Sequence, residues 1–411
     1  MRHRSLLILT AVLTTGALTL TACGSRDDSN NSSDGGGGTQ TVVIGLDAPL
    51  TGDLSALGLG IKNSADLAVK QANSKKYVEG ITFEIQALDD QAQPSSGQQN
   101  ATKLAANTKV LGVVGPLNSS VGESMQKVLA DEKLVQVSPA NTSPSLTQGQ
   151  KWNEGTKERP FASYFRTATT DAVQGPFAAQ YLFNDAKKKN VFVIDDKKTY
   201  GAGLAGTFKA EFEKLGGKIA GTEHIDPETK DFSSVATKVK SSGADVVYYG
   251  GEYPAAGPLS KQIKKAGAKI PLVGGDGIYS GEYIKLSGAE GVGDLATSVG
   301  APIETLPSAK EFVANYEKAG YKEPFEAYGG YSYDAAWSII EAVKAVVEAN
   351  DGKLPSDARA KVAEAVGKVD FEGVTGKVSF DEFGDTTNKQ LTVYEYKDGN
   401  WAAVKSGELT S

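Results

Sequence analysis

Along most of the chain, short apolar runs of strand type alternate with amphipathic stretches of helical period. The clearest such unit is Val110–Thr142, VLGVVGPLNSSVGESMQKVLADEKLVQVSPANT. Its runs Val110–Gly115 and Leu134–Ser138 read as buried strands, and Val121–Asp131 between them places Val121, Met125, Val128 and Leu129 on one helical face. That pattern predicts a βαβ unit with parallel strands and a right-handed crossover. Both strand ends then lie on one edge of an open parallel sheet, the edge where ligands bind, and the side chains of Leu117–Ser120 suit a helix N-cap. A helix N-terminus there offers free N–H groups and a positive dipole end to an anion, so Ser119, Ala140 and Thr142 converge on a candidate carboxylate site. The same residues also suit a plain helix cap and a Ser-Pro strand terminator, and the pattern by itself leaves both readings open.

The alternation begins with a strand at Thr41–Pro49, a helix over Ile61–Asn73, a strand at Ile81–Asp89 and a helix over Ser95–Asn107. A second series follows Tyr164–Ala168: helices over Asp171–Phe183, Gly203–Leu215, Phe232–Ser241 and Ala256–Ala266 alternate with strands Val191–Asp195, Lys218–Thr222, Asp245–Gly250 and Ile270–Gly274. After Leu295–Gly300 come helical stretches over Ser308–Ala319, Tyr331–Asn350 and Asp357–Val366, then short strands Lys377–Phe380, Gln390–Tyr396 and Trp401–Lys405. Two βα series in tandem predict an α/β chain of two doubly wound lobes with a cleft between them.

The chain's 411 residues suffice for two such lobes without disulfides. Its formal charge is -7, and removing Arg2 and Arg4 with a leader leaves 41 of the 43 basic residues against 50 acidic ones, a net of -9. An acidic chain without a basic stripe is a poor partner for nucleic acid or an anionic lipid surface. The N-terminus, MRHRSLLILTAVLTTGALTLTAC, has a basic start, an apolar run and small residues before the single cysteine, the grammar of a secretory leader. Residues 1–22 are read as that leader and residues 23–40, rich in Ser, Asn, Asp and Gly, as a flexible tether.

Three other motifs weigh against enzyme readings. Gly201-Ala202-Gly203-Leu204-Ala205-Gly206 spells a dinucleotide fingerprint with Glu223 suitably downstream, but Asp195–Tyr200 intervene between strand and first glycine, which favours helix packing as its role. The histidines are His3, in the leader, and His224, read as a solvated loop residue, so a Ser-His-Asp triad or histidine metal site lacks material. Asp89-Asp90 and Asp381-Glu382 read as turn and rim acids without the spaced oxygen ligands of a calcium loop.

Six stretches, SPANTSPSLT, YFRTATTDAVQGPFAAQYL, VIDDKKTYGAGLA, KDFSSVATKVKSSGADVVYYGGEYP, KKAGAKIPLVGGDGIY and AYGGYSYDAAWSI, carry a resemblance that covers nearly the whole mature chain. From Thr41 onward the chain resembles the substrate-binding proteins of branched-chain amino acid ABC transporters, of type I periplasmic-binding-protein fold. Leu20-Thr21-Ala22-Cys23 likewise resembles a bacterial lipobox, which implies lipidation of Cys23. The resemblance implies three crossovers, near Arg166, Val299 and Gly373, with residues 41–165 plus 300–373 in an N-terminal lobe and 166–299 plus 374–411 in a C-terminal lobe. It implies carboxylate contacts at Ser119, Ala140 and Thr142, an ammonium contact at Asp276, an aromatic closing over the ligand at Tyr200 and an aromatic pocket wall at Tyr328.

Leu57 departs from an aromatic common in the family and keeps the wall apolar. Glu252 stands where a tyrosine is expected, beside Tyr253, so either Glu252 turns to the rim and Tyr253 lines the pocket, or the ligand brings a polar or cationic group to meet it. The implied function is a lipid-anchored extracytoplasmic receptor, monomeric and without cofactor, that hands an amino acid, foremost a branched-chain one, to a permease. A basic or polar amino acid is the alternative ligand, and a ligand sensor of the same fold the alternative role.

Overall fold

A computed structural model describes residues 39–410; the Cys23 expectation lies outside them. Strands β1 (Gln40–Ala48), β2 (Ile81–Asp89), β3 (Val110–Val114), β4 (Val135–Ser138) and β5 (Tyr164–Arg166) form one parallel sheet in the order β2-β1-β3-β4-β5. β3 and β4 are buried along their whole length, as expected when helices cover both faces of a parallel sheet. Their register, Gly112 opposite Val135, is that of the βαβ unit, with helix Ser119–Asp131 as the crossover.

The second sheet takes β6 (Asn190–Asp195), β7 (Lys218–His224), β8 (Val246–Gly250), β9 (Leu272–Gly274) and β10 (Leu295–Val299). A short antiparallel pair, β11 (Phe371–Gly373) and β12 (Gly376–Val378), stands apart, and β13 (Leu391–Lys397) and β14 (Asn400–Gly407) then close the second sheet in the order β14-β13-β10-β9-β8-β6-β7. The chain therefore leaves the first sheet after Arg166, leaves the second after Val299 to place helix Gly329–Glu348 against β3 and β4, and rejoins the second at Leu391. This is the type I periplasmic-binding-protein architecture.

Several helices start earlier than periodicity indicated, two of them by about a turn or more. The helix expected from Ile61 begins at Ser55, and the one expected from Gly203 begins at Thr199. Gly58 and Gly201 are close-approach points: a Cβ on Gly58 would lie 2.0 Å from the Pro49 carbonyl oxygen, and one on Gly201 2.5 Å from that of Gly250. The strand expected at Lys377–Phe380 does not join the tail sheet; its residues Lys377 and Val378 pair with Glu372 and Phe371 in the separate hairpin.

Candidate functional site

The βαβ unit builds one wall of the site. Asn118 holds the cap position of helix Ser119–Asp131 yet makes no capping bond. Its amide crosses to the other half and donates to Glu252 Oε1. The first-turn N–H groups beside Ser119 are thereby left without a side-chain acceptor, at the positive end of a 13-residue helix. At the end of β4, Ser138 Oγ accepts from Ala140 N at 3.2 Å and Asn141 N at 2.9 Å, and Ser143 N donates to Ser119 Oγ at 3.4 Å. These bonds fold Ala140 and Thr142 back against Ser119. The fully buried Arg166 fixes the same loop: its Nη1 donates to Asn141 O at 2.9 Å and Ser143 O at 2.8 Å, while Nε pairs with Asp385 Oδ1 at 2.6 Å. The buried Thr142 hydroxyl lies beside the Asp171 carboxyl, with no hydrogen bond within normal distance among the described residues.

The opposing wall comes from the second sheet and is built around an acid. Asp276, just past β9, is fully buried. Its Oδ1 accepts from Gln174 Nε2 at 2.9 Å and the Tyr200 hydroxyl at 2.8 Å, and its Oδ2 from the Tyr328 hydroxyl at 2.9 Å. Burial raises the Asp276 pKa, and the three donors oppose that rise. Asp171 is raised well above the usual carboxylate range, by burial first and then by the charge of Asp276. Tyr328 precedes helix Gly329–Glu348, which packs on the first sheet, so its bond to Asp276 spans the two halves.

Leu57, Ser119, Ala140, Tyr200, Glu252 and Tyr328 line one cavity of about 20 Å³. Thr142 and Asp276, both fully buried, are not among the lining residues, and Asp276 lies beneath the hydroxyls of two lining tyrosines. The cavity has room for roughly one water-sized sphere, too little for an amino acid while the Asn118–Glu252 and Tyr328–Asp276 bonds hold the halves together.

Glu252 does not turn to the rim. It is 8% exposed, bonded by Asn118 on one side and paired with Lys198 Nζ at 3.4 Å on the other. Tyr253 does not take its place, because it opens the following helix and its hydroxyl donates to the Asp53 carbonyl. The reason is local satisfaction: burial pulls the Lys198 ammonium down, but the Glu252 and Asp196 carboxyls outweigh it and raise its pKa overall. Asp196 is itself pushed up to about 7, by burial first and then by Glu252.

Two other expectations are revised, those for Asp90 and His224, while the packing role expected of the Gly201 motif stands. Asp90 is buried, with its pKa raised to about 6 by burial, and is no rim acid. His224 ends β7, half exposed, with Nδ1 2.8 Å from Asp195 Oδ1, so it is tethered to a strand rather than free in a loop. Gly201 has a packing role and its Cβ position lies 2.2 Å from Asp196 Oδ1, so an acid stands where a pyrophosphate would approach. Gln174, Asn118, Lys198 and Arg166 were not foreseen as site residues; Gln174 and Arg166 sit inside the YFRTATTDAVQG stretch, whose other polar residues gave no local signal to single them out. Among the described residues no group of three or more His, Cys, Asp or Glu could hold a metal ion, and no helix is long and apolar enough to cross a membrane.

A two-sided cleft, neutral donors facing a buried acid, is the arrangement of a zwitterion receptor. Residues 41–400 match the profile of the periplasmic binding protein family. The chain belongs to that family. A Leu/Ile/Val-binding protein homolog of Brucella suis is 34% identical over 358 residues, covering 87% of this chain and 91% of the relative. The Leu/Ile/Val-binding protein BraC3 of Rhizobium johnstonii is 31% identical, over 89% of this chain and 94% of its own length. The crystal structure of a leucine binding protein, LivK, from Thermotoga maritima superposes with a TM-score of 0.78 at 26% identity, covering 89% of this chain and 98% of that one. Periplasmic binding proteins are substrate-binding transport proteins that work outside the cytoplasm with ABC transporter permeases.

Proposed function

We propose that this periplasmic binding protein captures a branched-chain amino acid between its two lobes and delivers it to the permease of an ABC importer. It acts as a monomer, without catalysis or cofactor, anchored through lipid on Cys23. The lobes are residues 41–165 plus 300–373 and residues 166–299 plus 374–411. Ser119, Ala140 and Thr142, with the helix N-terminus, take the ligand carboxylate. Asp276 takes the ammonium: lobe opening withdraws the Tyr328 hydroxyl and frees Oδ2 for the incoming cation. Tyr200 closes over the ligand backbone, and Leu57 and Tyr328 flank the side chain.

The observation that carries this reading is the pairing of an uncapped helix end with a buried, triply bonded carboxylate across one closed cavity. An inward Glu252 would disfavour an aliphatic ligand if it were left unpaired, because a buried lone charge costs several kcal/mol. Its bonds to Asn118 and Lys198 remove that objection. The inward carboxylate also motivates the second reading, a basic or polar amino acid that displaces Lys198.

Calorimetry of the mature protein against leucine, isoleucine, valine, arginine and glutamine separates the two. Branched-chain ligands are expected to bind tightest and to contract the scattering radius; arginine binding with no heat from leucine would replace the first reading by the second. For the anchor, wild-type protein is expected in the membrane fraction and Cys23→Ala in the soluble one, and a membrane-bound alanine variant would overturn it.

A further inference from the structure

A second, larger chamber of about 420 Å³ lies outward of the binding cavity, at the cleft mouth. Its walls include Asp53, Gln91, Gln93, Lys198 and Glu228, a polar set unlike Leu57, Ala140 and Tyr328 within. Glu252 is the one residue that lines both spaces. It is held as a partition from both sides: Asn118, from the first-sheet half, bonds Oε1, and Lys198, a wall of the outer chamber, pairs with Oε2. Its position is set further by the backbone, since it precedes helix Tyr253–Lys265 in an extended conformation and spends no side-chain bond on capping.

We propose that Glu252 is the length gate of this receptor, the far wall that admits a short aliphatic side chain and excludes longer ones from the outer chamber. The gate rests on the amino-acid reading above. Binding a short side chain leaves the Asn118–Glu252–Lys198 chain of bonds intact when the lobes close. A longer side chain must break it, leaving a buried carboxylate and ammonium unpaired, and is rejected by that loss more than by shape alone. A neighbouring acid strengthens the barrier: the buried Asp196 Oδ2 has no hydrogen bond among the described residues and lies within electrostatic reach of Glu252 and Lys198. Removing the Glu252 side chain joins the two spaces, and the polar outer chamber then receives the end of a long, neutral, hydrogen-bonding side chain.

The test is calorimetry of the full mature protein and two variants against leucine and citrulline, an amino acid with a long neutral polar side chain. Wild type is expected to bind leucine and to give no measurable heat with citrulline. Glu252→Ala is expected to lose several-fold in leucine affinity and gain at least tenfold for citrulline. Glu252→Gln keeps the wall's volume, and citrulline should remain excluded although leucine binds less tightly. Glu252→Ser also empties the wall while supplying a helix-capping hydroxyl, and it carries the alanine expectation should that variant not fold. Citrulline binding by wild type, or an unchanged leucine-to-citrulline ratio in the alanine and serine variants, overturns the gate. Failure of leucine to bind wild type overturns the branched-chain reading instead, so the two failures are distinguishable.

Discussion

The two walls of the cleft solve opposite electrostatic problems with opposite means. The first-sheet wall has hydroxyls, backbone N–H groups and a helix end, and the buried cation behind it, Arg166, is committed to Asp385 and to the carbonyls of Asn141 and Ser143. The second-sheet wall concentrates acids, Asp276 and Asp196 with Glu252, against Lys198. An anion can be held by neutral dipoles that cost little to bury, whereas a cation in a closed site needs a carboxylate kept ionised by donors. The asymmetry fixes how a zwitterion lies: carboxylate to the first sheet, ammonium to the second.

Arg166 is where the first wall breaks most severely. Arg166→Met leaves Asp385 buried without its partner, and breaking such a pair costs about 3–5 kcal/mol, read as a lower midpoint in denaturant. The double variant Arg166→Met/Asp385→Leu should recover part of the loss, since the lone charge is gone, yet still bind ligand poorly because the Asn141–Ser143 loop has lost its anchor. Equal stability of wild type and Arg166→Met would refute the positioning role.

Asp276→Asn tests the second wall. It should cost leucine binding about 2–5 kcal/mol by calorimetry, the range for losing one partner of a desolvated charge pair. Folding stability should hold or rise, because burial works against the carboxylate in the ligand-free chain. Thr142→Val and Ser119→Ala each remove one neutral donor and should cost about 1 kcal/mol of affinity. If both walls responded equally, the asymmetry would have no energetic content.

The smallest effect is the pH dependence of stability. Burial, the largest cause in each case, raises Asp196 to about 7 and Asp90 and Asp334 to about 6. From about pH 4 to 7 these groups hold protons that the unfolded chain has released. Their contribution is therefore complete below the unfolded value near 4 and is lost as pH rises through 6 and 7. Despite burial, Arg166 holds Asp385 below the usual range, so its contribution is lost only as pH falls further. Calorimetric Tm should be a few degrees higher at pH 5.5 than at pH 8; a Tm that climbs over that interval contradicts these assignments.

The walls also differed in how far they could be read in advance. Ser119, Ala140 and Thr142 lie within 24 residues of one another in a unit whose period, caps and strand ends are local signals, and the structure puts Ser119 and Ala140 on one cavity wall while Thr142 is fully buried off its lining. Asp276 and Tyr328 follow no local pattern; only the family resemblance marked them, because their bond depends on lobes assembled from separate stretches of chain. The Asn118–Glu252 bond joins residues 134 positions apart, and Asn118 looked like a helix cap because capping and bridging demand the same short amide. Helix starts at Ser55 and Thr199 were hidden by glycines whose purpose, close approach to Pro49 and Gly250, appears only in three dimensions.

The orientation of the zwitterion is tested most directly by three ligands of one shape: leucine, leucine amide and 4-methylpentanoate, titrated into the wild-type protein by calorimetry. Leucine should bind, and each analogue, lacking either the anion for the first wall or the cation for the second, should be at least a hundredfold weaker. In Asp276→Asn the penalty for removing the ammonium should shrink while that for removing the carboxylate remains. Binding of 4-methylpentanoate as tight as that of leucine in wild type would contradict the account.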